Sequence, residues 1–476
     1  MPPQIALIVY ASGIAGLFLL DRDRTVKTSK ALWIPTIWLL INASRPVSQW
    51  LQIGPNINSP DAYLDGSPLD AAVFGVLLAA GLVVLAGRGR KVGTILRANL
   101  PLVLFFGYCA ISTVWSDYSF VSAKRWIKST GDVVMVLVVL TDPDRLSAIK
   151  RFLTRAGFVL LPVSVLLIKY YPDLGRSYNI WTWTPEFSGV TMGKNGLGMI
   201  CLVFGLASVW RLLSASQERK SRERTRHLIA HGLVAASAVW LLWMANSMTS
   251  LLCFVMAGSL IATTRIVRLA RKSAVVHLLV ALIVCISVSI LFLGAGDAAL
   301  EAVGRDPTIT GRTDIWNIVL GLVRNPLIGT GFESFWLGDR LQKVWDAYVG
   351  THIQEAHNGY IEVYLNLGWF GITLLAVLIL TGYRNVIQAF RRNPDVGRLR
   401  LAFVVAAVLY SLTEAGFRMM SPIWLAFLLA ITAVPVVAAK KARPHSPPGG
   451  LPIPLSASYG FDEMFPTQSR KEVIYK

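Results

Sequence analysis

Acidic residues are scarce in this chain, and charged residues of both signs are few. There are 27 Asp and Glu residues against 46 Lys and Arg, and charged residues make up 15% of the sequence. Hydrophobic residues make up 54%, and the mean hydropathy is +0.54. A soluble domain does not carry so little charge, whereas apolar runs of about 20 residues, such as 274–294, match the thickness of a bilayer core. We therefore predict a helical protein that crosses a membrane several times.

Cysteine is also scarce, and its placement excludes a disulfide framework. The four cysteines lie inside apolar runs, where they are most simply small packing residues: Cys109, Cys201, Cys253 and Cys285. The sequence has no spacing typical of metal ligands, so we predict no metal site and no cofactor. Residues 1–20 lack the basic start of a cleavable signal peptide, so we predict that they remain as a span.

The excess of basic residues, a formal net charge of +19, superficially suits a nucleic-acid partner. The basic residues instead lie in short loops between apolar runs, so we exclude nucleic acid. Cytoplasmic loops of membrane proteins are enriched in Lys and Arg. With the loop 21–30 inside, the inside segments hold 33 of the 46 basic residues and the outside segments hold 13. This predicts a cytoplasmic C-terminus and an N-terminus on the outside, which in a bacterium is the periplasm.

The apolar runs predict an all-α polytopic membrane protein with about 12–13 transmembrane helices and one large extracytoplasmic loop that contains short helices. The predicted spans are 3–20, 31–53, 71–87, 99–115, 130–141, 152–170, 196–213, 228–244, 249–264, 273–294, 360–382, 401–417 and 420–439. The chain then divides into N-terminal spans (1–294), a catalytic loop (295–359), C-terminal spans (360–439) and a tail (440–476). The tail is rich in Pro and Gly, and we expect it to be disordered.

The longest polar interval, residues 311–368, contains the first candidate catalytic residue. A helix that begins at Gly311 places Arg312 in its first turn. A helix N-terminus and a guanidinium group together suit a phosphate. An ion pair of Arg312 with Asp306 or Asp314 is the alternative.

A histidine in the same interval is the second candidate catalytic residue. A helix predicted from about Ile353 into the next span places His357 at the membrane surface, where a lipid-linked head group lies. Imidazole titrates near pH 6.5 and commonly serves as a general base, although a structural histidine is the alternative. His352 is the second choice for this role. Glu355 and Glu362 flank His357, and each is either an orienting group or a solvated glutamate.

Two further outside loops contain basic residues that can bind an anion. Lys124, Arg125 and Lys128 form one cluster, which either binds a ligand or anchors a helix end at lipid head groups. Lys194 lies in the glycine-rich piece 193–198, where the backbone can approach a ligand closely. This piece lacks the spacing of a P-loop. The candidate substrate-binding residues are therefore Lys194, Arg125, Lys124 and Glu355.

Three pieces of the polar interval form an ordered pattern. They are Gly311–Trp316, Asn325–Phe332 and Ala356–Tyr360, followed by Leu365 and Gly368. In this order, within one outside loop, they resemble the O-antigen ligase and polysaccharide polymerase family of bacterial membrane proteins. The span count and the glycine-rich piece extend the resemblance over most of the chain, and the tail lies outside it.

The resemblance implies a metal-independent glycosyl transfer with inversion. The donor is a glycan on undecaprenyl pyrophosphate, and the acceptor is a sugar hydroxyl. Carried over by position, Arg312 binds the pyrophosphate of the donor, with Lys194 or Arg125 helping to hold its charge. His357 orients or deprotonates the acceptor hydroxyl.

Two departures from the ligase pattern favour a polymerase. His357 and Gly368 meet the ligase pattern of a histidine, ten residues and a glycine. The ligase pattern of an arginine, three residues and a leucine is not met, because Trp316 stands at the position of the leucine. Arg312 and His357 are also 45 residues apart, which is compact for a ligase. We therefore expect polymerisation of exopolysaccharide or O-antigen repeat units, with a flippase and a chain-length regulator as candidate partners.

Three alternatives stay open. A ligase would attach the glycan to lipid A core, and an oligosaccharyltransferase would attach it to protein Ser or Thr. A transporter of lipid-linked sugars is disfavoured, because it would need ionisable residues in mid-span and two matching halves.

Overall fold

Long α-helices build the protein, and the computed structural model describes residues 1–23, 26–53, 64, 66–178, 183–266, 272–292, 310–347 and 352–435. The helices of these residues are α1 (Pro3–Leu20), α2 (Trp33–Asn42), α3 (Val47–Trp50), α4 (Pro68–Ala86), α5 (Gly89–Ala98), α6 (Leu100–Ser112), α7 (Ser119–Leu140), α8 (Arg145–Tyr170), α9 (Pro172–Gly175), α10 (Lys194–Ser216), α11 (Arg222–Ala245), α12 (Met248–Ile266), α13 (Ser273–Phe292), α14 (Thr310–Gly321), α15 (Gly338–Ala347), α16 (Gly359–Arg392), α17 (Pro394–Tyr410) and α18 (Pro422–Ile431). Short 3-10 turns occupy Lys30–Leu32 and Thr113–Trp115. The predicted tail 440–476 lies outside the described residues.

Seven of the described helices are long and apolar enough to cross a membrane, which confirms the prediction of an all-α polytopic membrane protein. They are α1, α4, α8, α10, α11, α12 and α16. An eighth crossing results if α5 and the helix after it, which meet at a bend of 90°, form one broken span. Other predicted spans are shorter helices. The run 31–53 is divided into α2 and α3 beside Arg45-Pro46, and the run 130–141 is the second half of α7.

A small antiparallel hairpin interrupts the helices in the loop before α10. Its strands are β1 (Arg176–Tyr178) and β2 (Pro185–Phe187), and Ser177 is paired with Glu186. The sequence analysis did not predict this hairpin, because strands of three residues leave no periodic signal. The hairpin positions Glu186 beside the start of α10.

The loop between α13 and α16 has an apolar core of its own within its described part. The core joins α14, α15 and the start of α16, and its buried residues are Ile315, Val319, Phe335, Trp336, Leu341, Val344, Trp345, Ala356 and Leu365. Burial of such side chains contributes about 1.5–3 kcal/mol each for the larger aliphatic ones. The loop is therefore a packed unit that can hold polar side chains in fixed positions.

The long helix α16 is kinked at Gly368, and the kink attaches the loop to the span. Gly368 has φ 63° and ψ −163°, a conformation that side chains with a Cβ rarely adopt. The peptide N–H of Trp369 donates to the carbonyl of Pro326 at 2.9 Å, and that of Phe370 donates to Leu327 at 3.1 Å. A Cβ at Gly368 would lie 2.3 Å from the carbonyl carbon of Leu327. The glycine ten residues after His357 is therefore required by backbone packing.

The glycines of the Asn325–Phe332 piece meet the same kink from the other side. Thr330 and Gly331 donate their peptide N–H groups to the carbonyls of Leu365 and Asn366, at 3.1 and 2.8 Å. Gly329 has φ 67°, and a Cβ there would lie 2.5 Å from the backbone of Asn366. This piece of the family pattern is a docking segment for α16.

Two predicted element bounds are wrong, and both lie beside the site. The predicted span 401–417 is helical only to Tyr410, and residues 411–421 form a turn before α18 begins at Pro422. The helix predicted from about Ile353 begins only at Gly359. The side chain of Asn358 caps it by accepting hydrogen bonds from the peptide N–H groups of the next turn, so the preceding residues are free of the helix.

Candidate active site

His357 is held in an unusual backbone conformation just before α16. Its φ is 48°, in the left-handed region that non-glycine residues adopt at a cost of about 1–3 kcal/mol. The neighbouring Ala356 is fixed on both sides: its N–H donates to Glu362 Oε1 at 2.5 Å, and its carbonyl accepts from Trp316 Nε1 at 2.8 Å. Trp316, the departure from the ligase pattern, therefore helps to position His357.

Two carboxylates meet the same nitrogen of the His357 ring. Nδ1 lies 3.1 Å from Glu355 Oε1 and 3.2 Å from Glu414 Oε2. Burial disfavours the charged imidazolium, but the hydrogen bonds and charges of both glutamates outweigh it and raise the pKa of His357 to about 10. Burial also acts against ionised Glu355, yet His357, Arg418 and Arg312 lower the pKa of Glu355 to about 2. His357 is therefore a cation at neutral pH in this arrangement.

Arg312 points from the first turn of α14 into the same cluster. Its Nη2 lies 2.8 Å from Glu414 Oε1, and its Nη1 donates to the carbonyl of Thr413. Of the alternative partners weighed from the sequence, Asp314 is exposed and Asp306 lies outside the described residues. The structure thus brings together the two predicted catalytic residues through one carboxylate.

Glu414 joins four parts of the chain, and the sequence analysis missed it. Its carboxylate contacts Arg312 and His357, and Oε1 also accepts a hydrogen bond of 3.1 Å from Asn195 Nδ2 at the start of α10. The Glu414 side chain is only 4% exposed, so these partners are needed to stabilise its charge. A signal was present, because Glu414 and Arg418 interrupt an apolar region, and ionisable residues in such regions are usually functional.

Arg418 extends the cluster toward α7. Its Nη1 lies 3.8 Å from Glu355 Oε2, and its Nε lies 3.7 Å from Glu333 Oε2. Arg125 of α7 donates to the backbone carbonyl of Glu333 at 2.5 Å and is close enough to Arg418 for the two charges to interact. Lys124 instead places its amine 4.8 Å from the ring centre of Phe120. The structure therefore brings Arg125 to the cluster and leaves Lys124 on the exposed side of α7.

Lys194 and Glu355 line a cavity of about 490 Å³ on another side of the cluster. Lys194 is the first residue of α10, and its Nζ pairs with Glu186 Oε1 at 2.8 Å. Asn195 lines the same cavity and reaches Glu414, so the glycine-rich piece connects the cavity with the catalytic candidates. The second-choice histidine, His352, instead stacks on Trp345 with 4.3 Å between ring centres.

Three of these side chains approach closely enough to share a metal ion. Glu355, His357 and Glu414 each offer one ligand atom, and these atoms lie within 4.8 Å of one another. Arg312 and Arg418 already contact the two carboxylates, and His357 Nδ1 lies between them. Cationic side chains thus compensate this carboxylate pair, and a metal ion would have to displace them.

The loop that carries these residues matches a known family. The model of the O-antigen ligase family matches residues 232–376, a range that contains Arg312, His357 and Gly368. Over this range the chain is similar to the O-antigen ligase family. It is also 24% identical over 386 residues to the exopolysaccharide production protein ExoQ of Rhizobium meliloti (strain 1021), an alignment that covers 78% of this chain and 85% of that protein. No solved structure matches the chain significantly.

These two similarities support a polysaccharide polymerase or ligase role for this multi-pass membrane protein. Within the family pattern, the structure separates two kinds of residue. Arg312 and His357 present ionisable groups to one cluster, whereas Gly329 and Gly368 permit the loop to dock on α16. Gly331 permits the loop to approach Ser112 and Ser116. Mutations in the two sets of residues are therefore expected to impair the protein for different physical reasons.

Proposed function

We propose that the protein is an inverting glycosyltransferase that polymerises the repeat units of an exopolysaccharide or O-antigen. The donor is a glycan on undecaprenyl pyrophosphate, and the acceptor is a hydroxyl of another lipid-linked glycan. The observation that carries the proposal is the convergence of Arg312 and His357, from separate pieces of the family pattern, on the buried carboxylate of Glu414.

The cationic side of the cluster suits the pyrophosphate. Arg312, Arg418 and Arg125 come from three different elements and surround a small number of carboxylates. The imidazolium of His357 adds a further positive charge, with Nε2 as the nitrogen available to a substrate because both carboxylates take Nδ1. Fixed cations of this kind stabilise the charge that develops on a leaving pyrophosphate, as a metal ion does in other enzymes.

The transfer step needs a proton acceptor, and Glu355 is the ionised group beside His357 that can take this role. Its low pKa makes it a weak base, so it takes the proton late, after the hydroxyl has become acidic by bonding to the anomeric carbon. The acceptor oxygen forms a bond to the anomeric carbon, the bond from that carbon to the pyrophosphate oxygen breaks, and the electron pair leaves with the pyrophosphate. A protonated His357 orients the hydroxyl but cannot take its proton. Of the two carboxylates beside the ring, Glu355 is the accessible one, with its side chain 31% exposed against 4% for Glu414.

The orientation predicted from basic residues agrees with this proposal. Arg125, Asn195, Arg312 and His357 lie in segments that the charge distribution assigns to the outside, and Arg418 lies in the predicted outside turn at 418–419. Glu414 was predicted to lie in the span 401–417, but it belongs to the turn 411–421, like Arg418. We therefore place the site on the periplasmic face of the bacterial inner membrane, where a flippase would deliver the donor and a chain-length regulator would act on the product.

A deletion strain tests the function through its lipid-linked intermediates. A polymerase predicts accumulation of single repeat units, and complementation by Arg312→Ala or His357→Ala should fail at normal levels of the protein in the membrane. The family description names a ligase, and full-length polymer stranded on its carrier would favour that second function. Unchanged glycans in the deletion strain would refute both.

A further inference from the structure

The cavity beside Glu355 differs in charge from the rest of the site. It has a volume of about 490 Å³, within the roughly 300–1,000 Å³ common for small-molecule sites. Among the described residues, its charged lining consists of Lys194, Glu186 and Glu355. Lys194 and Glu186 pair with each other at 2.8 Å, and Glu355 has His357 and Arg418 as its partners. Such a lining presents no unpaired cation to a pyrophosphate and accepts an uncharged ligand.

The neutral polar groups of the cavity offer both hydrogen-bond acceptors and donors. The hydroxyls of Ser44 and Thr191 already donate to the backbone carbonyls of Leu40 and Ser188, each at 2.8 Å, so their oxygen lone pairs remain for a ligand. The amide of Asn195 donates to Glu414 at 3.1 Å and has a second hydrogen, and the first turn of α10, which begins at Lys194, adds peptide N–H groups without an intrahelical partner. Sugar hydroxyls can both donate and accept and therefore match such a mixed lining, whereas a pyrophosphate can only accept.

The position of Glu355 connects this cavity with the reacting groups. Its side chain lines the cavity, and its two oxygens contact His357 Nδ1 at 3.1 Å and Arg418 Nη1 at 3.8 Å. A hydroxyl of a sugar held in the cavity can therefore reach the border between this cavity and the cationic groups. This is where an attacking oxygen and a pyrophosphate-linked anomeric carbon have to meet.

We propose that the cavity between the end of α2, the β-hairpin and the start of α10 binds the terminal uncharged sugars of the acceptor glycan, with Glu355 contacting the attacking hydroxyl. The proposal rests on the glycosyltransferase function above and assigns the two substrates to separate sides of one cluster. The acceptor occupies the cavity, and the donor pyrophosphate occupies the side of Arg312, Arg418 and Arg125.

Gly193 permits a direct test, because it lines the cavity and can accept a side chain. Its backbone is extended, with φ −165°, and a Cβ there would meet no atom within 4 Å. Gly193→Phe is therefore expected to fill cavity space, and Gly193→Ala is the matched control. The full-length protein in nanodiscs is titrated with two probes: the soluble repeat-unit oligosaccharide released by mild acid from the deletion strain, and undecaprenyl pyrophosphate.

Gly193→Phe should weaken oligosaccharide binding by about tenfold or more and leave undecaprenyl pyrophosphate binding within about twofold. Gly193→Ala should bind both probes as the unaltered protein does. If Gly193→Phe misfolds and binds neither probe, Ser44→Ala replaces it as the test variant. Ser44→Ala should weaken oligosaccharide binding by about fivefold and leave undecaprenyl pyrophosphate binding unchanged. Unchanged oligosaccharide binding in a folded variant, or a selective loss of undecaprenyl pyrophosphate, would overturn the assignment. A failure of the proposed glycosyltransferase function would be distinguishable from a failure of this assignment, because Arg312→Ala would then leave polymer formation unchanged.

Discussion

The charge of His357 at neutral pH is the prediction that most directly tests the proposed chemistry. Glu355 and Glu414 both contact its Nδ1, and they carry Arg418 and Arg312 as their own partners. The pKa of about 10 means that the ring is protonated throughout the physiological range. A polymerase that needs this cation should keep its activity from pH 7 to 9 and lose it as the pH rises through about 10. A general base at position 357 would instead give activity that rises through about pH 6.5.

The magnitude follows from the difference between the two pKa values. A pKa of about 10 against the ordinary 6.5 corresponds to an imidazolium stabilised by on the order of 5 kcal/mol. Because the folded-state pKa is the higher one, this contribution to stability is complete below about pH 6.5 and is lost as the pH rises through about 10. Two carboxylates share this stabilisation, so Glu414→Gln should lower the pKa of His357.

Histidine-labelled protein in nanodiscs permits the measurement by nuclear magnetic resonance. The signal absent from His357→Ala identifies the ring, and its nitrogen and carbon shifts report protonation across a pH titration. The expected result is an imidazolium at pH 7.5 in the unaltered protein and titration at a lower pH in Glu414→Gln. A neutral ring at pH 7.5 would refute the reasoning and restore His357 as the candidate base.

Four further predictions concern the supporting residues. Trp316→Leu restores the ligase pattern and removes the hydrogen bond beside His357. It should therefore lower the free energy of unfolding by about 1 kcal/mol and slow polymer formation. Gain of lipid A ligase activity would contradict this prediction. Gly368→Ala should abolish accumulation of folded protein, whereas Gly107→Ala, which has no atom within 4 Å of the added Cβ, should be tolerated in the same immunoblot. Arg125→Ala should reduce undecaprenyl pyrophosphate binding about tenfold and Lys124→Ala less than twofold, and equal effects would argue against the placement of α7. Chelation by EDTA should leave polymerisation by the purified protein unchanged, since arginines compensate the carboxylates; inhibition reversed by a divalent cation would show a metal requirement.

Much of the fold was predictable because the relevant information is local along the chain. Runs of apolar residues set the membrane helices, and the basic loops between them predict an orientation. The bounds failed where tertiary contacts decide them. Residues 411–417 were predicted to continue the helix, yet the chain turns there, and Glu414 and Arg418 pair with Arg312 and Glu355.

The sequence alone determined that this is a polytopic membrane protein, and its resemblance to the O-antigen ligase and polysaccharide polymerase family made Arg312 and His357 the candidate catalytic residues. Only the tertiary structure showed how the charges around these residues interact. Glu414 lies 102 positions from Arg312, and their contact places His357 Nδ1 between two carboxylates. The pKa of a histidine depends on the charges within a few ångströms of its ring, and those charges come from parts of the chain that no local pattern connects.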